Sequence, residues 1–427
     1  VGYDAADLGP LDPRHKAVPV EARGRDAQEV AAARPGLARL PTPLLTLDAG
    51  ALEANVAAMA AWARGRGVDL APHGKTTMAP SIWRAQLAAG ALGLTVATPW
   101  QLTVALQHGV PWVLAAYPLL DPQVLRLVTG PQRGGARVLC WADGVDVVAA
   151  MAPHVAGAAQ PVDVLVELGA PGGRTGARST AAAIEVARAV AATPGLRLAG
   201  VAGYEGALAH DATPASLTVV RTYLSDLRSL HARLLAAGLY PELPEGIVVS
   251  AGGSAHFDAV ADVLGPLHEP DGEVPVRVVV RAGAYVAHDD GFYRSITPMA
   301  RGAAGELRSA LHGWARVLSR PEPGLALADA GKRDLPFDEG LPEVQAVRRA
   351  GEGDTEPLEG ASATALNDQH LFVRLEGAAR EVRVGDVLRL GLSHPCTAFD
   401  KWQLLPVLDD ALAPQPVLVD WVRTVFG

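Results

Sequence analysis

Leu70-Ala-Pro-His-Gly-Lys-Thr-Thr-Met-Ala-Pro80 is the stretch on which the reading of the fold turns. The run Val68-Asp-Leu-Ala71 reads as a short strand, and a helix is expected to start near Ser81. Between them Pro72, His73, Gly74 and two threonines make a loop centred on Lys75. A lysine at the C-terminal end of a strand is placed to project into a cavity. Buried there, its ammonium is costly and its pKa falls. An amine of lowered pKa is what a Schiff base to an aldehyde needs. The competing reading is a solvated loop lysine.

Working outward, the strand–loop–helix unit recurs. Strand-like runs follow near residues 93–96, 112–115, 137–141, 162–167, 198–204, 247–250 and 276–281. Alanine-rich helical stretches lie between most of them, at 80–89, 99–107, 180–192 and 214–237. Eight strands alternating with helices over roughly 200 to 250 residues indicate an α/β fold, a closed (β/α)8 barrel. An open doubly wound sheet is the competitor, but no Gly-x-Gly-x-x-Gly stretch follows the first strand. Upstream, residues 41–48 read as a strand. Asp48 is placed to cap a helix at 49–64, where Leu52, Val56 and Met59 recur at helical spacing.

After Gly291 the alternation stops. Strand-like pieces at 311–318, 324–328, 371–375, 387–391 and 404–408 are separated by Gly, Pro and charged turns. The expected division is an extension at 1–40, a barrel at 41–297 and a mostly β domain at 298–427. The extension and the strand at 44–48 are expected to pack on the β domain, and the acidic stretch 351–360 to be a surface loop.

Composition narrows the function classes. The chain has 427 residues, of which 49% are hydrophobic and 5% aromatic, and a formal net charge of −9. No basic patch interleaved with aromatics speaks for nucleic acid. No apolar run reaches transmembrane length, so no membrane partner is expected. Residues 1–39 are charged and Pro-rich, unlike a signal peptide. The two cysteines, Cys140 and Cys396, are far apart, which fits a reduced, cytoplasmic setting better than a disulfide framework.

Barrel active sites form at the C-terminal ends of the strands, with phosphate often held after the seventh and eighth. After the seventh comes Ser250-Ala-Gly-Gly-Ser-Ala-His256. Gly252 and Gly253 let backbone N–H groups approach an anion, Ser254 adds a hydroxyl, and a helix N-terminus follows. A phosphate there and Lys75 after the first strand suit the two ends of pyridoxal 5′-phosphate. Arg174, on the glycine-rich loop after the fifth strand, is placed to meet a phenolate oxygen. Tyr204, ending the sixth, is placed to meet the pyridine ring. In Leu392-Ser-His-Pro-Cys-Thr397, His394 and Cys396 alternate at strand spacing and can face one cavity. Imidazole with thiolate suits zinc, and two protein ligands leave positions open for substrate. His370 is a further polar candidate near that site, whereas Cys140 reads as inert core.

These stretches together resemble the D-serine dehydratase family, whose fold is shared with D-threonine aldolases and alanine racemases. The resemblance runs from about Thr42 to the end. It is carried by Pro72-His-Gly-Lys-Thr76, the loop at Arg174, Ser250-Ala-Gly-Gly-Ser254 and His394-Pro-Cys396. It implies an alanine-racemase-like barrel with a β domain, the type III pyridoxal-phosphate fold, in a homodimer. It implies Lys75 as the Schiff-base lysine, with His73, Arg174, Tyr204, Gly252, Gly253 and Ser254 around the cofactor, and His394 with Cys396 as ligands of Zn2+. Related aldolases tend to carry aspartate where Cys396 stands, so the cysteine leans towards a dehydratase. The expected enzyme is a lyase that dehydrates a D-3-hydroxy amino acid, foremost D-serine, to a keto acid (pyruvate) and ammonia. The alternatives are retro-aldol cleavage to glycine and an aldehyde, and a non-catalytic pyridoxal-phosphate carrier. The His-x-Cys domain argues against the carrier.

Overall fold

The structure, a computed structural model, describes residues 2–303, 305–351 and 353–426. Strand β1 (Leu44–Asp48) leads into the helix Ala49–Gly65, whose first turn is capped by the Asp48 carboxylate accepting from the Ala51 amide at 2.7 Å. Eight strands follow: β2 (Asp69–Leu70), β3 (Leu94–Val96), β4 (Trp112–Ala115), β5 (Arg137–Ala142), β6 (Val162–Leu168), β7 (Leu196–Gly203), β8 (Ile247–Ala251) and β9 (Val276–Val280). They run parallel in the order β2-β9-β8-β7-β6-β5-β4-β3. A bridge from His73 to Thr95 joins the two end strands and closes the barrel.

Alternation along the strands separates two cores. Trp112 and Leu114 of β4, with Leu139 and Trp141 of β5, pack inside the barrel with Leu165, Ala202, Val248 and Val279. The intervening Val113, Val138 and Cys140 face the surrounding helices. Cys140 is fully buried there, and burial pushes its thiol up to about 12, far from a reactive thiolate. Gly200 sits where β6 and β7 shift register, and a Cβ there would fall 1.8 Å from the Val248 carbonyl oxygen. Only glycine fits that approach.

The opposite mouth of the barrel is closed by charge. Asp163, at the start of β6, accepts from Arg137 Nε at 2.8 Å and Arg197 Nε at 2.5 Å, and its side chain is only 2% exposed. Removing one partner of a buried pair leaves an uncompensated charge. Asp163→Ala should therefore cost about 3–5 kcal/mol of stability in urea unfolding. Binding of pyridoxal phosphate, expected at the far end of the strands, should not change.

The second sheet contains β10 (Leu311–Glu322), β11 (Leu325–Ala328), β12 (Glu343–Arg348), β13 (Thr355–Pro357), β14 (Ala361–Leu366), β15 (Leu371–Leu375), β16 (Val387–Gly391), β17 (Leu404–Leu408) and β18 (Leu418–Arg423). Its main path is β13-β12-β16-β10-β1-β17-β18, and the far half of β10 continues into β11, β15 and β14. The strand that precedes the barrel in sequence is thus central here, between β10 and β17. The stretch 351–360, expected as a loop, contributes β13 to this sheet; Glu352 lies outside the described residues. The N-terminal residues run along β18: Asp420 accepts from the amides of Tyr3 and Ala5, and Gly36 bridges Val417. Among the described residues no helix is long and apolar enough to cross a membrane.

Candidate active site

A cavity of about 660 Å³ opens at the C-terminal ends of the barrel strands, under the second sheet. Nine of the ten candidates from the sequence line it: His73, Lys75, Arg174, Tyr204, Gly252, Gly253, Ser254, His394 and Cys396. Lys75 sits in a single 3-10 turn, Gly74–Thr76, after β2. Its side chain is exposed to the cavity rather than buried, because the turn directs it into open space. The burial expected from the sequence does not hold. Next to it, Thr76 places Oγ1 3.3 Å from Cys396 Sγ. That contact brings the lysine loop against the metal-ligand candidates.

At the end of β8 the donors differ from those the sequence suggested. The amides of Gly252 and Gly253 both donate to the buried Glu205 carboxylate, at 3.0 and 2.6 Å. What these glycines leave is space: a Cβ on Gly253 would meet the Tyr204 ring at 2.9 Å. Ser254 Oγ accepts from the amides of Gly283 and Ala284, at 3.3 and 3.1 Å, which leaves its hydroxyl hydrogen for an anion. The helix Phe257–Leu264 begins just beyond. Gly253→Val should weaken cofactor retention at least about tenfold in equilibrium dialysis, because the overlap is with a packed ring. Its thermal midpoint should fall far less than its occupancy.

Cations converge on the same cavity. The Arg174 guanidinium lies 5.0 Å from the Tyr204 ring centroid. Arg281, just past β9, is buried, bonds Ser250 Oγ and the Gly203 carbonyl at 2.7 Å each, and stacks 5.1 Å from the Trp141 ring. Burial, and then the charges of Lys75, Arg281 and Arg174, hold His73 well below the usual imidazole range. The ring is neutral and the field around it is positive, as an anionic ligand requires. His73 Nδ1, Tyr117 Oη and Trp141 Nε1 are buried on the cavity wall without a partner. Unpaired polar atoms of this kind cost about 1–3 kcal/mol each, so a polar ligand is favoured there. A phosphate-bearing aromatic aldehyde fits these residues.

The second half of the site hangs from the β domain. Strand β16 ends at Gly391, and His394 takes a left-handed conformation (φ 62°) before a 3-10 turn, Pro395–Thr397. His394 and Cys396 are therefore brought together by a turn, not by strand alternation. Asp289 holds the turn by accepting from the His394 amide at 2.9 Å, and its own carboxyl is pushed up by burial against four backbone donors. Asp338 accepts from His394 Nδ1 at 2.6 Å and from the Thr397 hydroxyl at 2.7 Å. That leaves Nε2 as the candidate ligand atom, on a ring oriented by a carboxylate as metal-bound histidines usually are. Burial works to lower the His394 pKa, but Cys396 and Asp338 outweigh it and push it up to about 9. Among the described residues no three His, Cys, Asp or Glu side chains form a metal cluster. His394 Nε2 and Cys396 Sγ fit an exchangeable soft ion with open positions.

A family model for a putative serine dehydratase domain matches residues 310–408. D-threonine aldolase of Arthrobacter sp is 30% identical over 386 residues, covering 89% of this chain and 93% of the relative. The chain belongs to the D-serine dehydratase family, alongside the D-threonine aldolases. D-threo-3-hydroxyaspartate dehydratase of Delftia sp. (strain HT23) is 27% identical over 84% of this chain and 92% of the relative. The crystal structure of D-threonine aldolase from Filomicrobium marinum superposes with a TM-score of 0.75 at 24% identity, over 92% of this chain and 97% of that one.

Membership of the family leaves several site residues that motif reading did not find. Asp338 is a lone aspartate in a loop, 56 residues before the histidine it holds, and nothing in its neighbourhood flags it. Glu205 and Tyr293 also went unread; the Tyr293 ring lies 6.1 Å from that of His394 on the cavity wall. Arg281 was legible in principle, as a charge ending the apolar run Val276–Val280. His370 is a correction: it is exposed in the turn between β14 and β15 and does not line the cavity.

Proposed function

We propose that this protein is a pyridoxal-phosphate- and zinc-dependent lyase that dehydrates D-3-hydroxy amino acids, with D-serine as the leading substrate. The observation that carries the reading is the meeting of an amine with a soft metal-ligand pair across one cavity. Lys75 comes from the barrel, His394 and Cys396 from the β domain, and Thr76 contacts Cys396. A carrier of the cofactor has no use for the second half.

Pyridoxal phosphate, when bound, supplies an electron sink for charge developing at the substrate Cα. A zinc ion on His394 Nε2 and Cys396 Sγ supplies Lewis acidity towards the β-hydroxyl. Lys75 Nζ would hold the cofactor aldehyde and would accept the proton from the substrate Cα. Arg174 would meet the phenolate oxygen, the Ser254 hydroxyl would donate to the phosphate, and Tyr204 would pack against the ring. His73 and Trp141 offer their unpaired nitrogens to the polar edges of the bound group. Asp338 keeps the His394 ring aligned. Aldol cleavage is the second reading, favoured by the 30% identity to a D-threonine aldolase. It needs the same residues but removes the hydroxyl proton instead of expelling the hydroxyl.

Product analysis decides between them. Loaded with cofactor and Zn2+, the protein should convert D-serine to pyruvate and ammonia and leave L-serine untouched. Glycine and an aldehyde from D-threonine, with no keto acid from any D-3-hydroxy amino acid, would establish the aldolase. No turnover of any of them would leave the carrier.

A further inference from the structure

We propose that the N-terminal extension is a strap that positions the metal-binding turn, with Lys16 as the positioning residue. The proposal rests on the reading of His394 and Cys396 as metal ligands. Lys16 Nζ lies 3.0 Å from Asp334 Oδ1 and 3.3 Å from the Arg333 carbonyl oxygen. The same ammonium sits 4.0 Å above the Trp402 ring centroid. Trp402 Nε1 in turn donates to the Asp334 carbonyl at 2.9 Å. Lysine, aspartate and tryptophan therefore form one closed knot.

The knot joins the two limbs on which the metal turn depends. Asp334 lies four residues before Asp338, the carboxylate on His394. Trp402 lies six residues after Cys396, at the end of the turns Pro395–Thr397 and Phe399–Lys401. Asp334 is deeply buried, with a side chain 3% exposed, and its remaining partners are the neutral Gly331 amide and Gln369 side chain. Lys16 is the cation on that carboxylate, and removing a partner from a buried charge disturbs what surrounds it. A loop shifted by a fraction of an ångström no longer delivers Asp338 to His394 Nδ1. The extension carries another ion pair, Arg34 with Asp409 at 2.9 Å, that touches neither limb and serves as the internal control.

The test measures Zn2+ affinity of the full-length, cofactor-loaded, metal-stripped protein by competition with a chromophoric chelator. Lys16→Met should weaken Zn2+ binding about tenfold, at the low end for groups that orient metal ligands. Lys16→Arg should restore most of it, and Arg34→Met should leave it at the wild-type value. Asp338→Asn should weaken binding on its own, and Lys16→Met should add little in that background, because both act through one loop. Wild-type Zn2+ affinity in a folded Lys16→Met protein overturns the strap, even if its thermal midpoint falls. An undiminished Lys16→Met effect on top of Asp338→Asn does the same. A wild-type protein that takes up no Zn2+ removes the metal reading, and the strap with it.

Discussion

Replacing Lys75 by alanine is expected to lower turnover by about ten-thousand-fold or more, the scale seen when a covalent catalytic group is deleted. The expectation follows from what the residue stands to do. On the proposed reading one amine both holds the cofactor and receives the Cα proton, so its loss would remove two functions that no neighbour replaces. Burial, and then the cations around it, hold the His73 imidazole well below its usual range, so it is a poor substitute base. Arg281 and Arg174 are guanidinium groups that stay protonated and do not act as nucleophiles. The fold should survive, because the Lys75 side chain stands open to the cavity rather than packed in the core. Borohydride reduction of the wild-type holoprotein should fix the cofactor to the peptide containing Lys75. In Lys75→Ala the label should vanish while phosphate-dependent binding of the cofactor persists, weakened. Lys75→Arg should behave like the alanine variant despite its charge. Labelling of any other lysine, or turnover within tenfold of wild type in Lys75→Ala, would remove Lys75 from its role.

The barrel was legible because its signal is periodic and repeated. Strand-like runs alternated with alanine-rich helices, and each loop motif could be placed by its strand. Six of those positions, Lys75, Arg174, Tyr204 and Gly252 to Ser254, line one cavity for that reason. What sequence spacing could not give is the closure of polar groups across long separations. The Gly-Gly turn reads as an anion cradle until Glu205 takes both amides. His394 and Cys396 read as a strand pair because two residues apart means one face in a strand. The αL conformation of His394 depends instead on Asp289, a residue 105 positions earlier. Lys75 was expected to be buried, but whether a loop side chain meets packing or open space is set by the second sheet. For the extension the sequence offered only a side of the fold, the β domain; its particular contacts, with Asp334, Trp402 and Asp420, join residues far apart in sequence.

Stripping the metal, or replacing Cys396 by alanine, is expected to abolish elimination while leaving cofactor binding intact. The two chemistries are held by different domains. The residues proposed for the cofactor come from the barrel, whereas His394 and Cys396 hang from the turn after β16. Departure of hydroxide at neutral pH needs its developing charge stabilised, and a Lewis acid supplies several kcal/mol of that. Loss of the ion should therefore lower dehydration of D-serine by about a thousandfold or more. Cofactor absorbance, and its change when D-serine is added, should survive in both the EDTA-treated protein and Cys396→Ala. Re-addition of Zn2+ should restore the first but not the second. Thiolate favours zinc, whereas carboxylate suits harder ions, so Cys396→Asp should move preference towards Mn2+ or Mg2+. The aspartate variant also asks whether the ligand sets the reaction: a rise in glycine and aldehyde from D-threonine would place that choice in the side chain at residue 396. Metal-free protein that dehydrates D-serine at the full rate would reduce His394 and Cys396 to a packed turn, held by Asp289 and Asp338 for structural reasons alone.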